Sequence, residues 1–578
     1  MFLLNGQQQE SLIKMDKFLN SKKEKIFLLE GFAGTGKTTV ITQLFSSRKF
    51  FKNDIVFAAT TNKAVSVLQD MFKQHYEHVE FKTIHKLCKI KRKITDDGDI
   101  SYNLNESPEN FKKNQKTIFN YDIIIIDECS MISSKILSLI VGYSNRIKGK
   151  IIFVGDRYQL PPVNEEISDV FKLPISKSVI SKVVRCNDSI VTFASRVRNS
   201  IDNGENISTK GCKSDSFKTF KKSKLWLDDF ISNFDTKKNN VLLAYTNNRC
   251  NEINNYIRNS IYGKRSTQEY IDNELIVFNN FYSEKSISLQ PINLEQNLFA
   301  VSPMEDYQAR DEDSENMAVF YTSHKGIVKS CKEIKLMLPS FPLESLFNLT
   351  KKLDLKFKAH KPEKFNEDQD CPICFEKIKD KKSIETECGH LFCQKCIKIW
   401  IEQNDQCPYC RMVIMEKEEK LVIKDDEKLG ELITEFKALT KNISYRVWHM
   451  YVESPTMSGF IYTPIKSEKA RFEKSIEQIK QSIHNIKKHI VAKSKETKYT
   501  AKQNFVITRL WEYFYYSYVD IFADINYGYC ITVHKSQGST FDDVYIDSNN
   551  IIGFKNKDTL NCLYTAVTRS SKDVKLLV

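Results

Sequence analysis

The sequence has no long apolar run. No stretch approaches the roughly 18 residues that a membrane-crossing helix needs, and Ile123-Ile-Ile-Ile126 is only long enough for a buried strand. No membrane partner is expected. A secretory start is also missing, because Met1-Phe-Leu-Leu-Asn-Gly6 has no basic region followed by a long apolar stretch. There is no internal repeat and no low-complexity tract, which excludes a repeat array. Cysteine is plentiful at fifteen residues, but eight of them (Cys88, Cys129, Cys186, Cys212, Cys250, Cys331, Cys530, Cys562) are scattered singly. That is not a secreted disulfide framework; it reads as reduced thiols in a soluble, intracellular protein, cytoplasmic or nuclear.

What is present is a chain of 578 residues, long enough for roughly three to five domains. Hydrophobic residues at 41% and aromatics at 11% suit a core-forming protein rather than a disordered one. The net charge of +14 fits a polyanion-binding surface, although lysine-rich solvated faces produce the same excess.

Ile26-Phe-Leu-Leu-Glu30 is a short apolar run feeding a Gly-rich turn, and a helix-compatible stretch follows from Thr38 to Phe45. Further buried strands are expected at 55–59, 123–126 and 151–154. Helical or mixed segments between them predict a parallel α/β sheet. Residues 90–103 alternate around Asp97-Gly98 and read as a projecting β-hairpin. A second α/β unit starts near 177, with a strand at Val241–Tyr245 and a helix from Cys250 to Ile261. It resumes near 505, with strands at Tyr529–Val533, Val544–Ile546 and Val574–Val578. The intervening stretch is an excursion containing an acidic loop, Glu305 to Asn316, and a Lys/Glu-rich helix at about 466–495.

Two chemistries stand out. The first is a phosphate loop, Gly31-Phe-Ala-Gly34-Thr35-Gly36-Lys37-Thr38-Thr39, between a strand and a helix. Backbone N–H groups cradle phosphates there, Lys37 neutralises the β/γ oxygens, and the Thr38 hydroxyl ligates Mg²⁺. Asp127-Glu128 follows a buried strand. The Asp can hold Mg²⁺, and the Glu can activate the attacking water. Gly155-Asp-Arg-Tyr-Gln159-Leu-Pro-Pro162 follows another strand, where Gln159 can sense the γ-phosphate. A surface acidic pair or an ordinary strand exit explains each piece alone, but not both halves of one site in order.

The second chemistry is zinc. Cys371-x2-Cys374 is followed after 13 residues by Cys388-x-His390-x2-Cys393-x2-Cys396, and after 10 more by Cys407-x2-Cys410. Eight N/S ligands in paired spacing make two closed tetrahedral sites, holding two Zn²⁺.

Together with Val533-His-Lys-Ser-Gln-Gly538 and Leu563-Tyr-Thr-Ala-Val-Thr-Arg569, the nucleotide motifs resemble superfamily 1 helicases of the Pif/RecD/Dda group, most closely the Dda-type helicases of tailed phages. The resemblance covers roughly half the chain. It implies two RecA-like domains, ATP and Mg²⁺ as cofactors, and translocation 5′ to 3′ on single-stranded DNA with fork or tailed duplex substrates. Residue by residue, it makes Gln8 similar to the adenine-reading glutamine, with Gln7 and Gln9 leaving the register open. Gln159 looks like the γ-phosphate-coupling glutamine, and Arg185 and Arg569 look like the arginines that reach across the cleft. Thr60, Thr61, Asn62, Lys63, Thr83, His85, His534 and Lys535 match positions that touch the strand. The 90–103 hairpin resembles the wedge that splits the duplex.

The zinc frame resembles a RING domain, in which the sites interleave. Cys371, Cys374, Cys393 and Cys396 would hold one ion; Cys388, His390, Cys407 and Cys410 would hold the other. Ile373, Trp400 and Pro408 match the apolar patch that seats a ubiquitin-conjugating enzyme, and Arg411 matches the arginine that clamps ubiquitin. Packing of a mini-core is the plainer role for Ile373 and Trp400. Residues around 318–338 and 444–463 resemble the two sides of the SH3-like accessory barrel of Dda-type helicases, with the RING inserted at about 345–440.

The expectation is therefore an α/β protein. A first RecA-like domain spans 1–176, with a hairpin insertion at about 89–118. A second comprises 177–265 and 505–578. An accessory insertion covers 266–504, with the RING at 366–415. The function expected is that of an ATP-dependent DNA helicase with a RING in a ubiquitin-ligase or docking role. An alternative makes it a DNA-bound RING ligase or recruiter, with the ATPase serving targeting. A phage-like helicase carrying a eukaryote-style module in a Lys/Asn/Ile-rich chain implies a large DNA virus of a eukaryote.

Overall fold

The structure is a computed structural model. It describes residues 4–45, 53–72, 79–95, 97–103, 116–144, 146–184, 188–204, 207–209, 212, 214–235, 238–283, 319–339, 357–358, 371, 373–374, 383–385, 391–393, 396–397, 400, 422–423, 442–455, 457–493, 507–508, 510–511, 514–553 and 558–578.

Apolar runs with no polar alternation become strands covered on both faces. Ile26–Gly31 (β1), Ile55–Ala59 (β2), Val79–Thr83 (β3), Ile123–Asp127 (β6), Lys150–Gly155 (β7) and Ser176–Ile180 (β8) form a six-stranded sheet in the order β3-β2-β6-β7-β1-β8. Every pairing in it is parallel. One face is sealed by Met15, Phe18, Val40, Phe57 and Phe72, the other by Leu28, Ile84, Ile124, Leu137 and Phe153. Lys91–Ile94 (β4) and Ile100–Asn103 (β5) pair as an antiparallel hairpin outside that sheet. Its turn needs Gly98, whose φ is +82°.

Phe217–Phe220 (β9) and Val241–Ala244 (β10) begin a second sheet, and the chain then leaves it. Leu275–Phe278 (β11) enters a five-stranded antiparallel sheet; Tyr282–Ser283 (β12) and Val319–Phe320 (β13) pair beside it. Lys325–Pro339 (β14) is its long strand. Phe357–Lys358 (β15) pairs with Val422–Ile423 (β18), and Ser383–Glu385 (β16) with Leu391–Cys393 (β17). Asn442–Ser454 (β19) then returns alongside β14, paired from Ile327↔Glu453 to Pro339↔Asn442 with one register shift between Val328 and Ser330. The zinc segment therefore leaves and re-enters at two adjacent points of one ladder. Met457–Pro464 (β20) and Ile525–Tyr527 (β21) complete the order β20-β19-β14-β11-β21. Among the described residues this sheet has two edges, and no pairing closes it into a barrel.

Cys530–Thr532 (β22), Phe541–Asp547 (β23) and Ser570–Leu577 (β24) bring the chain back to the second sheet, ordered β22-β10-β23-β24-β9 and parallel throughout. The return comes at Cys530 rather than near 505. Leu510, Trp511, Phe514 and Tyr518 pack instead with Phe472 and Ile483 of the helix Lys466–Lys493 and with Tyr445 and Val447 of β19. The expected strand over 529–533 is shorter, because the Thr532 hydroxyl accepts from the Lys535 N–H and starts a helix at Val533. The acidic 305–316 stretch lies outside the described residues.

Candidate functional site

The phosphate loop joins the carboxyl end of β1 to the helix Lys37–Phe45, where parallel α/β sheets place their ligands. Gly36 has φ +78°, and a Cβ there would lie 2.6 Å from Gln8 Nε2. Gly34 also has a positive φ, and Thr35 is fully buried with its hydroxyl donating to Phe32 O. The Lys37 ammonium donates to Gly31 O at 2.7 Å and Phe32 O at 3.1 Å, which holds it inside the loop. Thr38 and Thr39 follow on the first turn and are half-buried.

Three glutamines in a row leave the adenine-side residue open in the sequence, and the fold separates them. Gln8 is buried, closes a capping box with Asn5, and donates Nε2 to Thr35 O at 2.9 Å. Gln7 faces away, accepting from Ser181 N and Lys182 N, and Gln9 donates to Leu4 O. Of the three glutamines, only Gln8 bonds to the loop among the described residues.

Asp127 ends β6 and accepts from the Glu128 N–H at 2.8 Å. Burial, with the charge of Glu128 beside it, pushes its carboxyl up to about 6. Glu128 sits at φ +52°, a left-handed conformation that costs a non-glycine residue energy and turns its side chain off the strand direction. There it meets the second sheet. The Arg569 guanidinium is 3.9 Å from Glu128 Oε1. In the amide orientation that satisfies both partners, Gln159 donates to Glu128 Oε2 at 3.0 Å and accepts from Arg569 Nη2 at 2.8 Å. Arg569 is itself fixed by Thr565 O and Ser539 O. A carboxylate, an amide and an arginine from two separate sheets thus form one line at the loop. Arg185 lies outside the described residues.

Further residues tie the two sheets together here. Asp156, 1% exposed, accepts from Ala33 N at 2.7 Å within the loop and from the Tyr564 hydroxyl at 2.8 Å. Arg198 lies 3.8 Å over the Phe32 ring. Leu160 N donates to the Thr565 hydroxyl, and Asn561 Nδ2 to Tyr158 O. Asp156 and Tyr564 both lie inside motifs legible in the sequence, but nothing in their spacing marks them as partners.

The strand-contact candidates fall into three places. Thr61 caps the helix Asn62–Phe72 by accepting from Ala64 N, and that turn packs on Gly538 of the second unit. Thr60 contacts Met131 Sδ, and the Lys63 ammonium lies 5.4 Å from the Phe541 ring centroid. Thr83 caps the short helix containing His85, whose pKa burial depresses. His534 stands 3.7 Å from Asp558, with its pKa also depressed by burial, and Lys535 donates to Asn279. Lys63 meets the second unit directly, and Thr83 and His85 belong to the first. The hairpin turn is seated on the accessory helices: Gly98 packs on the Trp511 ring, the Tyr515 hydroxyl donates to Gly98 O, and Lys487 pairs with Asp97.

In the zinc frame, the Sγ atoms of Cys371, Cys374, Cys393 and Cys396 all lie within 4.8 Å of one another. The Cys374–Cys393 sulfur separation is 3.9 Å. Tetrahedral zinc with bonds of about 2.3 Å requires about 3.8 Å between sulfurs, so this set fits the ion. Ile373 and Trp400 are half-buried against Cys371, Phe392, Cys393 and Ile397. Cys388, His390, Cys407, Cys410, Pro408 and Arg411 lie outside the described residues.

Two parallel sheets with a phosphate loop on one and an arginine delivered from the other define a RecA-like, two-domain nucleotide-dependent protein. Residues 17–165 match the AAA domain family, 527–577 the UvrD-like helicase C-terminal domain, and 369–411 the Ring finger domain. The chain is 24% identical over 604 residues to protein R530 of Acanthamoeba polyphaga mimivirus, covering 100% of each. It is 26% identical over 296 residues to the ATP-dependent DNA helicase dda of Enterobacteria phage T4, covering 48% of this chain and 60% of that one. A crystal structure of Pif1 helicase from Candida albicans aligns over 100% of this chain and 94% of that one, at 14% identity and a TM-score of 0.39. These matches support a Pif/RecD/Dda-like superfamily 1 helicase carrying a RING finger. Among the described residues no helix is long and apolar enough to cross a membrane.

Proposed function

We propose that the protein is an ATP-driven DNA helicase that moves 5′ to 3′ along single-stranded DNA and opens forked or tailed duplexes. The observation that carries this is the Glu128–Gln159–Arg569 line, which joins the two sheets beside the phosphate loop. A site divided between two domains senses its nucleotide through their separation. Lys37 and the loop N–H groups bind the phosphates, and Gln8 borders the base. Thr38 and Asp127 would hold Mg²⁺, which neutralises charge on the β/γ oxygens. Glu128 takes the proton of the attacking water. Arg569, with Arg185, stabilises charge on the transferring phosphoryl group. Gln159 contacts both Glu128 and Arg569 and reports hydrolysis to the interface. Thr60, Thr61, Asn62, Lys63, Thr83, His85, His534 and Lys535 hold the strand backbone. The first RecA-like domain is 1–176, and the accessory insertion interrupts the second, whose sheet resumes at Cys530. Lys37→Ala should abolish ATP hydrolysis and unwinding while zinc content is unchanged; hydrolysis near the wild-type rate in that variant would exclude the motor.

The RING would bind two Zn²⁺ and recruit a ubiquitin-conjugating enzyme through Ile373 and Trp400, which are only half-covered by the mini-core. With the viral relative, this supports action inside an infected eukaryotic cell. Ile373→Ala should remove ubiquitin transfer and leave zinc in place. If the wild type makes no ubiquitin chains with any of a panel of conjugating enzymes, the RING is a docking module.

A further inference from the structure

Three units of the fold converge on one ring. Phe541 opens β23 of the second sheet. The Lys63 ammonium, from the first domain, lies 5.4 Å from its centroid, and the Lys325 ammonium, from the first residue of β14, lies 5.2 Å away. Among the described residues neither lysine has a carboxylate partner. The Lys325 ammonium donates to the backbone carbonyl of Asn240 at 3.4 Å. Cation–ring contact recovers only about 0.5–2 kcal/mol per cation and does not neutralise charge.

The surroundings are also incomplete. Asn240 is 5% exposed, and neither its Nδ2 nor its Oδ1 has a partner among the described residues. The Ser539 hydroxyl, two residues before Phe541, and His324 Nδ1, next to Lys325, are buried without partners too. Buried polar groups are normally satisfied, and exceptions gathered beside two like charges leave donors open to an anion. The complement of two ammoniums, a hydroxyl and an amide is an anion with several acceptor oxygens. Consistently, burial pushes Lys63 down to about 8; burial and the charge of Lys63 push Lys325 down to about 7.

Resting on the helicase reading, we propose that Lys325 and Lys63 clamp one backbone phosphate of the bound single strand, so that the accessory sheet shares in holding it. The phosphate would sit where the first domain, the second domain and the accessory sheet meet. The Thr61–Ala64 turn already packs on Gly538 at that junction. Any rearrangement of the three units would then be felt at the strand.

The test is binding of a labelled oligo-dT by the full chain across a salt series, for the wild type, Lys325→Met and Lys325→Arg. Methionine keeps the stem and its packing; arginine keeps the charge. Each phosphate contact on a single strand contributes about 0.7 to the slope of log K against log salt. Lys325→Met should lower the slope by about that amount, so its deficit shrinks roughly two- to threefold between 50 and 200 mM salt; Lys325→Arg should restore the slope. A wild type with a steep slope that Lys325→Met leaves unchanged overturns the clamp and spares the helicase reading. A wild type that does not bind oligo-dT overturns both. A second arm replaces chloride by inorganic phosphate at fixed ionic strength. Competition by phosphate in both wild type and Lys325→Arg, with the Lys325→Met slope still unchanged, would identify a free-anion site and equally overturn the clamp.

Discussion

At the scale of single residues, the site sets a base, an amide and an arginine from two sheets against one another. Glu128 is held in a left-handed conformation against Gln159 and Arg569. Glu128→Gln keeps the shape and removes the base, so it should bind ATP and hydrolyse it at least roughly a hundredfold more slowly. Equal loss of binding and hydrolysis, measured by nucleotide titration and steady-state turnover, would assign Glu128 a structural role. The depressed lysines give a second test. With folded pKa values of about 7 and 8, below the unfolded value, Lys325 and Lys63 bind fewer protons folded than unfolded above neutrality. Stability of the free protein should therefore rise as pH climbs from about 7 toward about 10. An anion bound beside them raises both pKa values, so strand binding at about pH 8 should take up protons. Calorimetry in buffers of different ionisation enthalpy reads this uptake, which Lys325→Met should reduce. Lys63 is legible in the sequence as part of a motif. Lys325 is not, because a lysine before a glycine in a β-strand reads as an exposed charge until the fold brings it to Phe541.

At the scale of elements, apolar runs announced the inner strands of both parallel sheets, since strands buried on both faces are mostly apolar; the edge strands Val79–Thr83, Ser176–Ile180 and Phe217–Phe220 carry polar residues and gave no such signal. The phosphate-loop helix and the hairpin were equally visible. The stretch from about 505 to 527 was not. Its aromatic residues suit either α/β unit, and only tertiary packing sends Trp511 and Phe514 to the accessory helix and β21 to β11. That packing seats the hairpin turn. Gly98 has φ +82°, and a Cβ there would lie 2.6 Å from the Trp511 ring. Gly98→Val should dislodge the hairpin. Duplex unwinding should fall steeply while single-strand-stimulated ATP hydrolysis persists, as measured on a forked duplex and on oligo-dT. If the two activities fall together, the hairpin is no separate wedge.

At the scale of the whole molecule, the RING is spliced into the motor at one point. Pro339 and Asn442 are paired neighbours on β14 and β19. Replacing residues 340–441 by a two-residue Asn-Gly turn should leave ATP hydrolysis and unwinding near wild type and remove zinc. Loss of unwinding would mean that the insertion contributes to the motor. The RING spacing announced this module from sequence, and four of its ligands do gather. The division of labour between the sheets had to await the fold, because Glu128 and Arg569 are joined by no local pattern. The most direct measurement is ATP hydrolysis with and without single-stranded DNA, for wild type and Arg569→Ala. Strong stimulation by DNA in the wild type, lost in the variant while ATP binding is retained, is the result this account predicts. Hydrolysis indifferent to DNA, or an Arg569→Ala variant as active as the wild type, would contradict it.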